Sequence, residues 1–388
     1  GTYSTAYVSL DGGAHWQPLT LNLPPAEVRD IAIDTRQGDV VVATHGRAFW
    51  VLDNLALLEQ LTQKPVVTAD VGYLFGPQKA WLTHAYGVQT DPDSIEPNSG
   101  ENPPFGATVF FHISDHYDGN TPATLEFEDA QGSVIRSFAL HLETQQEKQE
   151  KADEKTGKPT PDHSAQNAVE QRHEAEAKLT AVEPGMNRFQ WDLRYTPAVE
   201  VNGYHSPEAA GGLDYSSNGP LVTPGTYSVV LKSGGQQTRQ TFSVALDPRL
   251  HPTEDDIAAR LALTRQIEAD MNALNQDVNR ALATRVKLQE AVSSHALDQR
   301  RAAGAVDALS ETINRVVQMK IRSSEGDSMQ ESKLHAYLAY LMADVEIAYA
   351  RPTEAQYAVF RDLDQQAKAG EQALDTAVAK AGRLIHME

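Results

Sequence analysis

Two side chains in the heptapeptide THGRAFW, Thr44 to Trp50, have the chemistry to hold a ligand. His45 can donate or accept a hydrogen bond, and Arg47 carries a fork of donors that fits a carboxylate or a sugar hydroxyl. The structural alternative is that Arg47 pairs with a neighbouring acid or carbonyl and locks this part of the fold. His45 and Arg47 are therefore the candidate ligand-binding residues, with both interpretations open.

A second group of residues that could do chemistry lies in the octapeptide HISDHYDG. His112, Asp115, His116 and Asp118 are residue types that ligate metal ions. The two histidines are four residues apart, a spacing that would place both on one face of a helix. Here the motif follows a strand pattern into a turn, so that geometry is not expected. We expect a solvated loop, with no metal ion and no other cofactor.

The octapeptide SLDGGAHW, Ser9 to Trp16, holds an acid within a glycine-rich stretch. A catalytic Asp11 would need a partner acid or base, and the sequence around it offers none. Gly12 and Gly13 supply the dihedral angles of a tight turn, whose amides Asp11 is placed to cap. We therefore predict a structural turn between two strands, with Trp16 folded back over the hairpin.

The rest of the sequence excludes several function classes. It has no Gly-x-Ser-x-Gly elbow, no His-Glu-x-x-His motif, no phosphate loop and no dinucleotide fingerprint. It has no cysteine, which rules out disulfides, thiol nucleophiles and thiolate metal sites. The net charge is −20 without a concentrated basic patch, which argues against a nucleic-acid partner. No apolar run approaches the roughly 20 residues of a membrane span.

The elements that must position these residues fall into four regions. Residues 1–62 and 105–248 consist of short β-rich runs separated by turn residues, and residues 249–388 are helical in pattern. Residues 63–104 read as a linker rich in Pro, Asn, Asp and Ser, with one strand, GYLFG. A polar insertion at about 143–178 lacks the aliphatic side chains needed to order itself, so we expect it to be disordered.

Turn and cap residues sharpen this division. Gly38 in DTRQGD predicts a hairpin turn. Thr253 is the expected N-cap of the first long helix, and Pro352 with Thr353 marks the start of the last one. One helical stripe comprises Ile257, Leu261, Ile267, Leu274, Val278 and Leu282. These patterns predict an antiparallel β-sandwich followed by an antiparallel helical bundle.

SLDGGAHW resembles the Asp-box, or BNR repeat, of sialidase-like β-propellers, whose pattern is Ser/Thr-x-Asp-x-Gly-x-Thr-Trp/Phe. Ser9, Asp11, Gly13 and Trp16 match that pattern, and His15 stands where threonine is usual. Together with ATHGRAFWVLD and NRFQWDLRY, the motif resembles bacterial sortilin-like BNR-repeat proteins of the glycosyl hydrolase type. The resemblance continues through GENPPFGATVFFHI and GPLVTPGTYSVVLKSGGQQTRQTFSVALDPR to ARPTEAQYAVFRDL in the C-terminal helices, and so covers most of the chain.

The resemblance implies a multidomain protein of β plus α class. Residues 1–62 would be the end of an Asp-box β-propeller, residues 105–248 an Ig-like antiparallel β-sandwich, and residues 249–388 the helical bundle. It also implies that the Asp-box is a structural turn at the periphery of a blade. The loop holding His45 and Arg47 would lie on the face where propellers bind ligands.

The function implied is that of an accessory C-terminal region of a secreted or periplasmic protein, supporting carbohydrate binding and propeller closure. The catalytic carboxylates of hydrolytic propellers come from several blades, so we expect this chain to be non-catalytic even where the longer parent is a glycoside hydrolase. The alternative is a non-enzymatic, sortilin-like protein that recognises proteins or peptides. The expected partners are the rest of the propeller, or another chain on the N-terminal segment, and polysaccharide. Neither nucleic acid nor a membrane span is expected.

Overall fold

A computed structural model of the 388-residue chain describes residues 1–61, 72–83, 104–149, 176–177, 179–204, 218–320 and 331–385. Most of the predicted linker and most of the predicted polar insertion lie outside these residues. The described chain is of mixed β plus α class, with several antiparallel sheets and helices toward its C-terminus. It divides into two compact units. Unit 1 contains Gly1–Gln145, Leu179–Leu193 and Pro224–Asp247, and unit 2 the remainder.

Unit 1 begins with two small sheets formed by residues adjacent in sequence. Strands β1 (Tyr7–Val8) and β2 (Gln17–Pro18) flank the SLDGGAHW turn as an antiparallel pair. Strands β3 (Val28–Asp34), β4 (Asp39–Thr44) and β5 (Phe49–Leu52) form a three-stranded antiparallel sheet, followed by the short helix α1 (Leu55–Leu61). The predicted hairpin turn between β3 and β4 is confirmed, with Gly38 at a φ of +75°.

The rest of unit 1 contains two larger sheets. The strands are β6 (Tyr73–Leu74), β7 (Ala80–Leu82), β8 (Ala107–Ile113), β9 (Ala123–Glu128), β10 (Val134–Leu142), β11 (Ala181–Val182), β12 (Gly185–Trp191), β13 (Gly225–Ser233) and β14 (Gln236–Leu246). One sheet has the order β11-β10-β9-β13-β14-β7, and the other β12-β8-β6. Most neighbours are antiparallel, but the edge strands β11 and β7 pair in parallel. The sequence pattern predicts β6 within GYLFG and gives no signal for β7.

Aromatic side chains join these two sheets. Trp191 on β12 is fully buried and stacks on Phe127 of β9, with 4.3 Å between the ring centroids. Tyr227 and Phe242, on β13 and β14, approach the same indole edge-on. The strand alternation of NRFQWDLRY predicts that Phe189, Trp191, Leu193 and Tyr195 form core. The first three are fully buried, whereas Tyr195 is only half-buried, because β12 ends at Trp191.

In the part of unit 2 that the structure describes, the long helices are α2 (Glu254–Ser293), α3 (Gln299–Val316), α4 (Leu334–Glu346) and α5 (Glu354–Ile385). The predicted N-cap is confirmed, since Thr253 forms a reciprocal capping box with Asp256. The last helix begins just after Thr353, as predicted. The predicted apolar stripe of α2 is buried except for Leu261, which is half-buried. All four helices contribute to one hydrophobic core.

Side-chain contacts fix the directions of these helices. Arg351, just before α5, pairs with Asp256 near the start of α2, and Asp375 of α5 pairs with Arg280 farther along α2. Helices α2 and α5 therefore run in the same direction. Ser310 of α3 contacts Arg285, and the end of α4 contacts Arg260. Along the chain, α3 and then α4 therefore run from the end of α2 toward its start.

Candidate functional site

The SLDGGAHW turn is closed by its own polar groups. The carboxylate of Asp11 accepts hydrogen bonds from the His15 amide at 2.8 Å, the His15 ring and the Ser9 hydroxyl. The Gly13 amide donates to the Ser9 Oγ at 2.7 Å, and the Trp16 indole donates to the Gly13 carbonyl. Asp11 thus binds the His15 amide, whereas the sequence pattern predicted bonds from the amides of the glycine turn.

Electrostatics at this turn agree with its geometry. The hydrogen bonds from the His15 backbone and side chain lower the pKa of Asp11, so the carboxylate stays charged as an acceptor. Gly12 and Gly13 both have positive φ. The side chain of Trp16 remains 64% exposed although its indole bonds back to the turn. These groups hold the turn together.

The loop that carries His45 and Arg47 joins β4 to β5 and is held by backbone bonds. The Thr44 amide and hydroxyl both donate to the Ala48 carbonyl, at 3.1 and 2.7 Å. The Trp50 indole donates to the Arg47 carbonyl at 2.8 Å. Gly46 and Ala48 both lie in the left-handed region, an uncommon conformation for alanine. The backbone is therefore fixed while the His45 and Arg47 side chains are exposed.

A third basic side chain joins this loop. The Arg29 guanidinium lies 3.4 Å from the His45 Nδ1 and 3.3 Å from the Glu27 carboxylate. The Arg47 guanidinium makes no hydrogen bond or ion pair with any residue the structure describes, so the expected alternative of a local partner is not seen there. No sequence motif indicates Arg29. It occupies a β-bulge between Val28 and Asp30, where strand alternation does not show which residue faces the loop.

The sheet β3–β4–β5 carries apolar side chains on both faces. Ile31 and Ile33 lie opposite Val42 and Val40 on one face and are partly exposed. On the other face, Phe49 is 75% exposed, and Val51 is also exposed. A sheet that faces water on one side normally alternates apolar with polar residues. Both faces of this sheet are therefore suited to packing against another apolar surface.

The four candidate ligands in HISDHYDG do not come together as a metal site. His112 lies on β8, Asp115 is exposed in the following turn, and His116 and Asp118 line a small cavity. Among the residues that the structure describes, no group of three or more His, Asp or Glu side chains is placed to hold a metal ion. The turn between β13 and β14 forms the other side of this cavity. The sequence pattern does not show that this turn lies beside His116 and Asp118.

Unit 2 holds a buried ionic cluster that sequence motifs do not indicate. The Arg194 guanidinium donates to Glu346 at 2.7 Å and to the Gly219 carbonyl. The second Glu346 oxygen accepts the Leu221 amide at 2.8 Å. The nearly buried Arg260 donates to the Glu346 carbonyl and lies over the Tyr349 ring. The cluster fixes Arg194 and Leu221 to the end of the helix that carries Glu346.

Acidic side chains face each other between α2 and α5. Burial and the nearby Asp364 raise the pKa of Asp270 to about 6, and Glu371 adds to the increase while Lys368 opposes it. The buried Oδ2 of Asp270 has no hydrogen-bond partner among the residues that the structure describes, and protonation would turn it into a donor toward Asp364. In the folded protein the charge of this pair therefore changes as the pH passes through about 6.

We expect unit 2 to become more stable as the pH falls from about 7 to 5. The Asp270 pKa is higher in the folded chain than the about 3.9 of an unfolded aspartate, so folding takes up a proton. The stabilisation from this proton uptake is complete below the pKa of aspartate in the unfolded chain, and it is lost as the pH rises through about 6. Asp270→Asn should flatten the pH dependence of urea unfolding and add about 1 kcal/mol at pH 8, allowing for solvent screening. The exposed Asp307→Asn serves as control, and an unchanged slope in Asp270→Asn would contradict the assignment.

No helix in the described part of the chain is both long enough and apolar enough to cross a bilayer. Comparison of the chain with protein-family models, with curated proteins and with solved structures gave no significant match. A functional assignment therefore depends on the residues and geometry described above.

Proposed function

We propose that this chain is the accessory, non-catalytic C-terminal region of a secreted or periplasmic bacterial protein of the Asp-box propeller type. Its role would be to complete the propeller and support carbohydrate binding. One observation carries the proposal: the β3–β4–β5 sheet exposes apolar side chains on both faces. Blades of a propeller are radially repeated sheets, so each blade presents both faces to its neighbours.

Other features support the same proposal at the level of architecture. The SLDGGAHW turn has the internal hydrogen bonds expected of a structural Asp-box. In this proposal the two larger sheets of unit 1 are an Ig-like sandwich, supported by the aromatic contacts between them. In the same proposal the helices of unit 2 are an antiparallel bundle, supported by their shared core and by α3 and α4 running back along α2, although α5 runs in the same direction as α2.

We expect the isolated chain to associate through this sheet, because both of its faces expose apolar side chains. Sedimentation velocity from about 1 to 100 μM should show a concentration-dependent species. Replacing Phe49 and Val51 with serine and threonine should weaken that association at least tenfold, as should Ile31→Thr with Ile33→Thr. Val359→Thr, an exposed valine on α5, is the matched control.

Two outcomes would count against the proposal. A chain that stays monomeric at the highest concentration, with strong hydrogen-exchange protection in β3 to β5, would show that the sheet needs no cover. Release of reducing sugar from polysaccharides by this chain would contradict its non-catalytic role.

A second candidate is a non-enzymatic, sortilin-like binding protein that recognises proteins or peptides. The observation in its favour is the fixed loop with exposed His45 and Arg47, beside Arg29 of β3, which pairs with Glu27. The Arg47 guanidinium is unpaired among the described residues. Such a group suits a carboxylate, for instance a peptide C-terminus. Binding of peptides with a free carboxylate, but not of their amides, would favour this candidate over the polysaccharide one.

A further inference from the structure

Strand β5, Phe49–Leu52, forms one edge of the three-stranded sheet β3–β4–β5. All of its side chains are apolar, and its outer edge has no hydrogen-bond partner among the residues that the structure describes. An exposed edge strand is a template for pairing with another chain. We propose that β5 pairs in antiparallel fashion with β5 of a second copy of this chain, with the two Trp50 residues opposite each other.

The backbone groups of Phe49 and Val51 point away from β4. The Thr44 amide of β4 donates to the Ala48 carbonyl, so this pair of the ladder is hydrogen-bonded. Bonded and non-bonded pairs alternate along an antiparallel ladder, so Trp50 occupies the next bonded position. Phe49 and Val51 occupy non-bonded positions, and their amides and carbonyls therefore face the free edge.

The opposite edge of the sheet, β3, is protected in ways that β5 is not. The Ile31 amide donates to the carboxylate of the adjacent Asp30 at 2.9 Å, and the Val28 amide donates to the Thr2 carbonyl. A bulge interrupts β3 between Val28 and Asp30. Such devices hinder pairing with another chain. Strand β5 has no charged residue, no proline and no bulge, so it is the edge open to pairing.

The charges at the two ends of β5 are opposite. The exposed Arg47 precedes the strand, and the exposed Asp53 follows it. Burial and the charge of Asp53 raise the pKa of the nearby Asp39, which shows that this end of the strand carries negative charge. In an antiparallel pair, the start of each strand lies beside the end of the other. Arg47 of each copy therefore approaches Asp53 of the other, a reciprocal match that favours a second copy over a peptide of unrelated sequence.

The backbone and the charges select the same register. With Trp50 opposite Trp50 of the second copy, Phe49 lies opposite Val51 and Arg47 lies opposite Asp53, each time in both directions. The pairs of Phe49 with Val51 exchange hydrogen bonds, because both residues direct their backbone groups outward. A shift of one residue would place outward-facing groups opposite inward-facing ones, and a shift of two would move Arg47 away from Asp53. The two sheets then form one continuous sheet across a two-fold axis.

This inference goes beyond the proposed function, because it depends on the edge of the sheet and not on its apolar faces. Pairing through the edge uses the backbone groups of Phe49 and Val51. It leaves the side chains on both faces of the sheet available for packing.

Charge reversal tests the pairing, with self-association measured by sedimentation velocity from about 1 to 100 μM. Arg47→Asp places like charges at both ends of the paired strands, and so does Asp53→Arg. Each variant alone should associate about tenfold more weakly than the wild type or worse. An equimolar mixture of the two should associate within about threefold of the wild type, because each copy then meets the opposite charge at both ends. A mixture of Arg361→Asp with Asp307→Arg, at exposed positions on α5 and α3, is the matched control and should behave like the wild type.

Amide hydrogen exchange locates the contact. Peptides that contain Phe49 and Val51 should exchange more slowly at about 100 μM than at about 1 μM, because pairing protects the outward-facing amides. That protection should be absent in Arg47→Asp alone and return in the mixture with Asp53→Arg.

The variant Ile31→Thr with Ile33→Thr separates edge pairing from packing of the faces, because it changes one face and leaves β5 intact. Weaker association in that variant, without recovery in the charge-reversed mixture, would overturn the edge pairing and leave packing of the faces supported. Recovery in the mixture, with no effect of the face variant, would support the edge pairing and count against packing of that face. A chain that stays monomeric at about 100 μM also overturns the inference.

Discussion

Glu346→Ala is expected to lower the free energy of unfolding of unit 2 by about 3–5 kcal/mol, because it removes one partner of a buried ion pair. The Glu346 side chain is 9% exposed and accepts hydrogen bonds from Arg194 and from the Leu221 amide. Its loss would remove the acceptor of the Leu221 amide and the carboxylate partner of Arg194, which would keep its bond to the Gly219 carbonyl. It would also remove the charge of Glu346, which raises the pKa of Arg260 against the lowering by burial.

Urea unfolding followed by far-UV circular dichroism measures this effect. Glu346→Gln should fall between the wild type and the alanine variant, since the amide oxygen can still accept the Leu221 amide but carries no charge. Glu311→Ala breaks an exposed pair with Arg315 on α3 and should change stability by less than about 0.5 kcal/mol. A loss below about 1 kcal/mol in Glu346→Ala would show that the cluster is well solvated.

Trp191→Ala should destabilise unit 1 by about 3–5 kcal/mol, the range for removing a large aromatic side chain from a packed core. Trp191 is fully buried, and it contacts Phe127, Tyr227 and Phe242 across the two sheets. The cavity left behind would be bordered by three rings held in ladders on the facing sheet, so little collapse is expected.

Near-UV circular dichroism and thermal unfolding give the readouts for this variant. Trp16→Ala is the matched control, because that indole is mostly exposed and closes only a surface turn. It should change stability by about 0.5 kcal/mol or less. Equal effects of the two substitutions would contradict a core formed between the sheets around Trp191.

The features that could be predicted from the sequence are those with local causes. Gly38, Thr253 and the SLDGGAHW turn depend on dihedral preferences and capping within a few residues, and each is found where it was expected. The alternation that buries Phe189 and Trp191 is equally local, because successive residues of a strand point to opposite faces.

The features that could not be predicted join residues distant in sequence. The ion pair of Arg194 with Glu346 spans 152 positions, and no spacing rule relates the two. Ser233 lines the small cavity beside His116 and Asp118 because β13 pairs with β9, and that pairing is not visible in the sequence. Arg29 approaches His45 because a bulge shifts the strand register, and a bulge removes the alternation from which facing residues are inferred.

The parallel pairing of β7 with β14 has a mechanical consequence. Residues Ala80, Trp81 and Leu82 lie beside Val244, Ala245 and Leu246 with both strands running the same way. When the chain is stretched between a point before β7 and a point after β14, the two strands are drawn past each other along their length. All hydrogen bonds of the pair then resist in shear at once, whereas an antiparallel hairpin pulled at its open end breaks one bond after another. This edge of the sheet is therefore expected to withstand a pull along the chain far better than its three residue pairs suggest.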